Sequence, residues 1–186
     1  NKSHAVSYSI ISYQCAWLCH YYNTEWVAAF LDKEPESRKE KAINLAKQHG
    51  YHIKDLNVNY SEMTWKIVDD TTLVAPLTTI KGLGEKAIEQ ILQHRPFNTI
   101  EEFIFHPDII YSKLNKKALD VLCRSGALED LIDDRFNGSK HFWYATCVDR
   151  PRTPKKLAEN ITTYHNEADF TEEENIEFIA DLTGIF

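Results

Sequence analysis

The sequence has few glycines, prolines and cysteines and contains no long apolar run. Its 186 residues include 6 Gly, 6 Pro, 4 Cys and 1 Met, and 43% are hydrophobic; this composition excludes a collagen-like or wholly disordered chain. No segment approaches the roughly 18 apolar residues of a membrane span, and no signal peptide is visible. We therefore expect a cytoplasmic protein without membrane contact.

The cysteines indicate the redox compartment of the protein, and the first residue indicates whether the chain is a fragment. None of the four cysteines forms a CxxC pair, so no zinc ribbon is expected and the thiols are predicted to be free in a reducing compartment. The chain starts at Asn1 without an initiator Met. We expect it to be a piece of a longer protein.

Excess positive charge is also missing, since the formal net charge is -7. The last 20 residues hold seven of the 28 acidic groups and no Lys or Arg, so the rest of the chain, with 21 groups of each sign, is neutral. The negative charge therefore belongs to the tail, and local basic patches that bind nucleic acid are not excluded.

Apolar residues at helical spacing dominate, and they predict a mainly α fold with a small β-hairpin. We divide the chain into a helical segment at 1–36, a helix plus hairpin connector at 37–75, a tandem helix-hairpin-helix region at 76–135, and a linker with an acidic helix at 136–186. The hairpin is predicted because Trp65 and Ile67 alternate before a polar Asp-Asp turn. Residues 137–156, aromatic and then basic, are interpreted as a helix end and a linker.

The stretch Ile80-Lys81-Gly82-Leu83-Gly84-Glu85-Lys86-Ala87 is the most informative motif. Two glycines around one apolar residue allow a tight turn that comes close to a ligand, and Leu83 is expected to anchor that turn in the core. The turn opens a helix, whose unpaired N–H groups bind phosphate. Lys81 and Lys86 reach neighbouring phosphates. This pattern is typical of a helix-hairpin-helix turn that contacts the DNA backbone without reading sequence.

A second, weaker unit follows at 114–128, with one glycine in its turn instead of two. Its predicted DNA-binding residues are Lys116, Lys117, Arg124, Ser125 and Gly126. A solvated helix face explains the same charges, so both interpretations stay open. Asp69-Asp70 would hold Mg²⁺ only with a third carboxylate, and a solvated turn is favoured. No catalytic signature and no metal site is predicted within the chain.

Three blocks together resemble one family. The segment from Asn1 to Leu18, NKSHAVSYSIISYQCAWL, is similar to the fingers segment of C-family replicative DNA polymerases of bacteria or phages, the family of the DNA polymerase III alpha subunit. Ile80 to Leu92 resembles the helix-hairpin-helix of that family, and Leu114 to Leu128 resembles its second, degenerate unit. Residues 137–165 match no part of the family pattern.

The resemblance implies a parent DNA-directed DNA polymerase that extends a primer with Mg²⁺ bound by palm aspartates upstream of Asn1. It implies that this fragment alone is inactive and needs no cofactor, and that Lys2, Ser3 and His4 lie near the nucleotide. The implied partners are primer-template duplex DNA, the rest of the polymerase, and a sliding clamp that binds the region after the C terminus.

Two alternatives stay open on the residues alone. A stand-alone helix-hairpin-helix adaptor for DNA binding or repair would use the same turn but would leave the first 18 residues unexplained. A structural helical interaction module would use Gly82-Leu83-Gly84 only as a connector.

Overall fold

The computed structural model describes residues 2–185, and helices dominate it. The helices are α1 Lys2–Tyr21, α2 Asn23–Lys33, α3 Glu36–Gln48, α4 Glu85–His94, α5 Ile100–Ile104, α6 Lys116–Arg124, α7 Ser139–Trp143, α8 Pro154–Thr163 and α9 Glu172–Thr183. Short 3₁₀ helices span Leu77–Thr79 and Glu129–Leu131, and a π-helix spans Tyr144–Val148. The prediction of a mainly α fold with a small β element is confirmed.

The β element has three strands, β1 His52–Lys54, β2 Lys66–Asp69 and β3 Thr72–Val74. β2 and β3 form the predicted antiparallel hairpin around the Asp-Asp turn, with Ile67 opposite Leu73. β1 adds a parallel pairing to β3 that we did not predict. β3 is therefore the central strand, and its Leu73 is fully buried while β2 is exposed.

Both predicted helix-hairpin-helix units form, but the short helix comes first in one unit and last in the other. In the first unit, the short 3₁₀ helix Leu77–Thr79 precedes the turn and the ten-residue α4 follows it. In the second unit, the nine-residue α6 precedes the turn and the 3₁₀ helix Glu129–Leu131 follows it. Asn115 caps α6 as its position suggests, because its side chain accepts a hydrogen bond from the Ala118 amide.

A single hydrophobic core extends from α2 to α8, and aromatic rings occupy its centre. Phe97, Phe103 and Phe142 are at most 1% exposed, and the rings of Phe97 and Phe103 meet edge to face with centroids 4.9 Å apart. Such edge contacts stabilise aromatic pairs beyond the area that they bury. Both helix-hairpin-helix units belong to this core, which fixes the position of their turns.

α1 makes no contribution to that core. Helical spacing predicts an apolar stripe on it, yet none of its residues is buried. Val6, Ile10, Tyr13 and Trp17 are between 43% and 70% exposed. Large apolar surfaces of this kind mark contacts with other proteins or domains.

The linker interpretation of residues 137–156 is wrong. This segment forms α7, the π-helix and the start of α8, and Phe142 and Ala145 are fully buried. His141 fixes its position, since its Nδ1 accepts from the Asn137 amide and its Nε2 donates to the Ile161 carbonyl. The change from α to π geometry interrupts the regular spacing on which a sequence-based helix prediction depends.

The acidic C-terminal segment forms the predicted helix, and this helix packs against the rest of the protein. Thr171 and Glu174 form a capping box at the start of α9, a pattern that their spacing in the sequence indicates. α9 packs against α6, and its Leu182 and Ile185 lie against the core. None of the helices within residues 2–185 is long and apolar enough to cross a membrane.

Candidate nucleic-acid interface

The first turn, residues 80–84, has the shape that its glycines predict. Gly82 has φ +87°, a left-handed conformation that favours glycine. Ile80 and Leu83 point inward, with exposures of 1% and 8%, and anchor the turn to the core. Lys81, Gly82 and Gly84 are exposed at its tip. The turn therefore presents bare backbone to the surrounding solution.

Some backbone amides of this turn donate hydrogen bonds within the protein, and others have no acceptor among the described residues. The Lys81 amide donates to the Leu182 carbonyl of α9 at 2.8 Å, and the Leu83 amide donates to the Ile80 carbonyl at 3.2 Å. The amides of Gly82 and Gly84 donate to no group within residues 2–185, and neither do those of Glu85 and Lys86 in the first turn of α4. Such free amides at a helix N terminus form an anion-binding surface.

Three lysines lie in or next to this turn. Lys81 and Lys86 are exposed and form no ion pair with any residue in the range 2–185. Lys117 reaches the turn from α6, because a Cβ atom placed on Gly82 would lie 3.3 Å from Lys117 Cε and 3.9 Å from its Nζ. The two helix-hairpin-helix units therefore supply their lysines to one place. Sequence spacing carried no signal for this contact, because Gly82 and Lys117 are far apart along the chain.

Gly84 differs from Gly82 because the fold does not require it. Its φ of -74° and ψ of 150° suit any residue, and a Cβ placed on it meets nothing within 4 Å. A side chain at this position would point into open space at the tip of the turn. Glycine is a better N-cap than alanine, but neither the backbone angles nor the packing requires it here. Close approach of an external ligand gives a further reason for a glycine at this position.

The second turn is closed by its own hydrogen bonds. The Gly126 amide donates to the Cys123 carbonyl and the Ala127 amide donates to the Leu122 carbonyl, the pairing of a Schellman helix end. Ser125 is buried, its amide donates to the Val121 carbonyl and its hydroxyl donates to the Leu122 carbonyl. Phosphate contacts by Ser125 and Gly126 stay a prediction. Because the amides of the second turn already donate within the protein, the first turn is the better candidate for binding phosphate.

The charged residues of the second unit mostly contact the protein itself. Arg124 pairs with Asp120 through its Nε at 3.2 Å and its Nη2 at 2.5 Å, and its guanidinium lies over the Phe178 ring of α9. Trp143 Nε1 also donates to Asp120, at 2.8 Å. Partial burial by itself raises the pKa of Asp120, but the hydrogen bonds from Arg124 and Trp143 outweigh burial, so this pKa lies below its usual value.

The remaining candidates lie elsewhere. Lys2, Ser3 and His4 form the exposed first turn of α1, where the His4 ring meets the Tyr8 ring at 4.5 Å; Asn1 is outside the described residues. The hairpin turn holds Asp69, whose carboxylate accepts from the Thr71 amide at 2.9 Å. That backbone hydrogen bond, followed by a hydrogen bond from the Thr72 side chain, lowers the pKa of Asp69.

No group of three or more His, Cys, Asp or Glu side chains within residues 2–185 is placed to hold a metal ion. The Asp69-Asp70 pair lacks a third carboxylate in that range, so these side chains do not fit a bound Mg²⁺.

Residues 50–137, which contain both turns, match the family model described as a helix-hairpin-helix motif. The class of this region is therefore a helix-hairpin-helix fold.

Curated relatives contain a region that is similar to this chain. The chain is 35% identical over 138 residues to DNA polymerase III subunit alpha of Pseudomonas aeruginosa, covering 70% of this chain and 12% of the relative. It is 34% identical over 158 residues to the same subunit of Pseudomonas fluorescens, covering 82% of this chain and 13% of the relative. For the subunit of Thermus aquaticus the identity is 35% over 142 residues, covering 73% and 11%.

The chain is thus homologous to a segment of the DNA polymerase III alpha subunit, and the resemblance found in its sequence is confirmed. It spans about an eighth of the length of these relatives.

Proposed function

We propose that this chain is the duplex-DNA-binding segment of a replicative polymerase, and that the turn at residues 81–84 holds the DNA backbone. The observation that carries the proposal is the pair of exposed, unused amides on Gly82 and Gly84. These amides donate to phosphate oxygens, while Lys81, Lys86 and Lys117 neutralise the phosphate charge. Contacts of this kind position a duplex and do not read its bases.

The geometry of the turn suits this role because it is held rigidly. The buried side chains of Leu83 and Ile80 anchor it to the core, and the hydrogen bond from the Lys81 amide to the Leu182 carbonyl attaches it to α9. Little conformational freedom is lost on binding as a result, and a preorganised site binds more tightly than a mobile one. Gly84 keeps the backbone bare where the phosphate approaches.

The activity that we propose for the parent protein is primer extension by DNA-directed deoxynucleotidyl transfer. The Mg²⁺ that such a transfer uses, and the carboxylates that bind it, are assigned to the part of the parent outside this chain. The fragment alone is expected to be inactive. Lys2, Ser3 and His4, exposed at the start of α1, are assigned a position near the incoming nucleotide. The cytoplasm as location and the sliding clamp as partner belong to the same proposal.

The exposed face of α1 is the contact surface that we assign to the rest of the polymerase. None of its apolar side chains is buried within residues 2–185, and the chain corresponds to about an eighth of the length of its relatives. A helix with this much exposed apolar surface needs a protein partner to cover it.

Salt dependence of duplex binding tests the proposed turn. Fluorescence anisotropy with a labelled duplex should show log K falling linearly with log salt, with a slope of about -0.9 for each phosphate contacted. Lys81→Ala should reduce the magnitude of that slope by about one and weaken binding equally for unrelated sequences.

Lys66→Ala on the exposed edge strand β2 is the matched control for this experiment, and it should bind as the wild type does. DNA binding that does not depend on salt would contradict the proposal and favour the structural module. Equal effects of the two substitutions would also contradict it.

A further inference from the structure

A second basic surface lies within residues 137–156, the segment whose sequence predicts a linker. A groove of about 740 Å³ opens between Tyr111 and the chain from Arg150 to Pro154. Lys116, Arg150 and Arg152 line it, and no carboxylate from residues 2–185 does. Its floor and walls are completed by apolar side chains such as Phe105. The groove is therefore strongly positive in a chain whose overall charge is negative.

Arg150 is the central group of this groove. It is half-buried, its guanidinium carbon lies 5.0 Å above the centre of the Tyr111 ring, and its Nη1 contacts the Leu114 carbonyl at 3.4 Å. No Asp or Glu within residues 2–185 forms an ion pair with it. Burial lowers the pKa of Arg150, and Arg152 lowers it further. A cation that is partly removed from water without a counter-charge is destabilising until an anion joins it.

The other two cations are arranged differently. Lys116 is held in place because its Nζ donates to the Val148 carbonyl at 2.8 Å. Arg152 is exposed and has no ion-pair partner among the described residues. Two fixed cations and one free cation around an open groove suit an anion with several oxygens, and arginine forks bind phosphate through two parallel hydrogen bonds.

The groove adjoins the first turn through α6. Lys116 and Lys117 are neighbours there, and side chains of successive helical residues diverge by about 100°. Lys116 is therefore directed toward the groove while Lys117 lies against Gly82. One polymer with regularly spaced phosphates can contact both places, because they lie on either side of a single helix end.

We propose that this groove binds a second phosphate group of the DNA backbone, with Arg150 and Arg152 as its ligands. The inference extends the proposed function and rests on it for the identity of the polymer. The evidence for the groove itself is separate from the turn at residues 81–84, because it consists of two arginines that form no ion pair within residues 2–185.

Duplex binding by Arg152→Ala tests the groove, with Lys155→Ala as matched control because Lys155 is also exposed, lies three residues away and does not line the groove. Arg152→Ala should reduce the magnitude of the salt slope by about one. Between 50 and 200 mM salt, the wild type should then lose about 3.5-fold more affinity than the variant. Arg152→Lys should keep the slope, and thermal unfolding should be unchanged for all three.

Equal effects of Arg152→Ala and Lys155→Ala would overturn the groove and leave a diffuse positive surface. A Lys81→Ala variant in the same series separates the two proposals. If Lys81→Ala changes the slope and Arg152→Ala does not, the turn binds DNA and the groove proposal is wrong. If Arg152→Ala changes the slope and Lys81→Ala does not, the groove binds DNA and the proposed turn is wrong.

Discussion

Replacing each glycine of the first turn with alanine separates folding from DNA binding. Gly84→Ala places a methyl group where the backbone angles allow it and where nothing lies within 4 Å. Alanine is a poorer N-cap than glycine by roughly 0.5–1 kcal/mol, but it removes about 0.4–1 kcal/mol of unfolded-state entropy. These opposing effects should leave the free energy of unfolding within about 0.5 kcal/mol of the wild type.

The same methyl group should weaken DNA binding. It stands beside the amide that we assign to a phosphate, and a hydrogen bond to a charged group contributes about 1.5–3 kcal/mol. Loss of that contact predicts a tenfold or greater rise in Kd. Denaturant unfolding and anisotropy with labelled duplex give the two quantities on one preparation.

Gly82→Ala is the contrasting variant. With φ at +87° and Lys117 Cε 3.3 Å from the new Cβ, it should lose about 1–2 kcal/mol of stability from backbone strain alone. A Gly84→Ala protein that is stable and binds duplex DNA as tightly as the wild type would refute the idea that a phosphate approaches the bare backbone there.

Further predictions concern stability. Trp17→Ala on exposed α1 should change the free energy of unfolding by less than about 1 kcal/mol, whereas Phe103→Ala in the core should cost about 3–5 kcal/mol; similar losses in denaturant titrations would mean that α1 packs on the core. Asp120→Asn should flatten acid unfolding, because the lowered pKa of Asp120 gives the wild type stability that is lost as the pH falls below the ordinary aspartate value of 3.8; parallel acid curves would contradict this. Thr171→Ala should destabilise the fold by about 1 kcal/mol through its cap, measured by thermal unfolding, and no change would show that α9 is held by packing alone.

Local features of this fold were predictable from short-range chemistry. The turn at Gly82, the cap at Asn115 and the capping box at Thr171 each depend on residues within four positions of one another. Their geometry is set by backbone angles and nearby side chains, so spacing alone predicts them.

Features that depend on distant contacts were not predictable in this way. The parallel pairing of β1 with β3 and the approach of Lys117 to Gly82 join segments that are separated along the chain. The role of Arg124 was also ambiguous, because its partners Asp120 and Phe178 include a residue on another helix. A basic side chain in a single sequence does not reveal whether its charge is already paired.

The case of α1 shows a different limit. Its apolar spacing predicts an amphipathic helix, and the helix forms over Lys2–Tyr21. Helical periodicity identifies a face that needs a partner, but it does not say whether that partner lies in the same chain. Here the described part of the chain leaves the face exposed.

Amide resonances of the glycines, followed by ¹⁵N NMR during titration with duplex DNA, test the central claim most directly. The Gly82 and Gly84 amides are free in the described chain, whereas the Gly126 amide already donates to the Cys123 carbonyl. We predict that DNA shifts the first two resonances strongly and leaves that of Gly126 in place. Saturating DNA that leaves the Gly82 and Gly84 resonances unmoved would contradict the proposed contact between these amides and the DNA backbone.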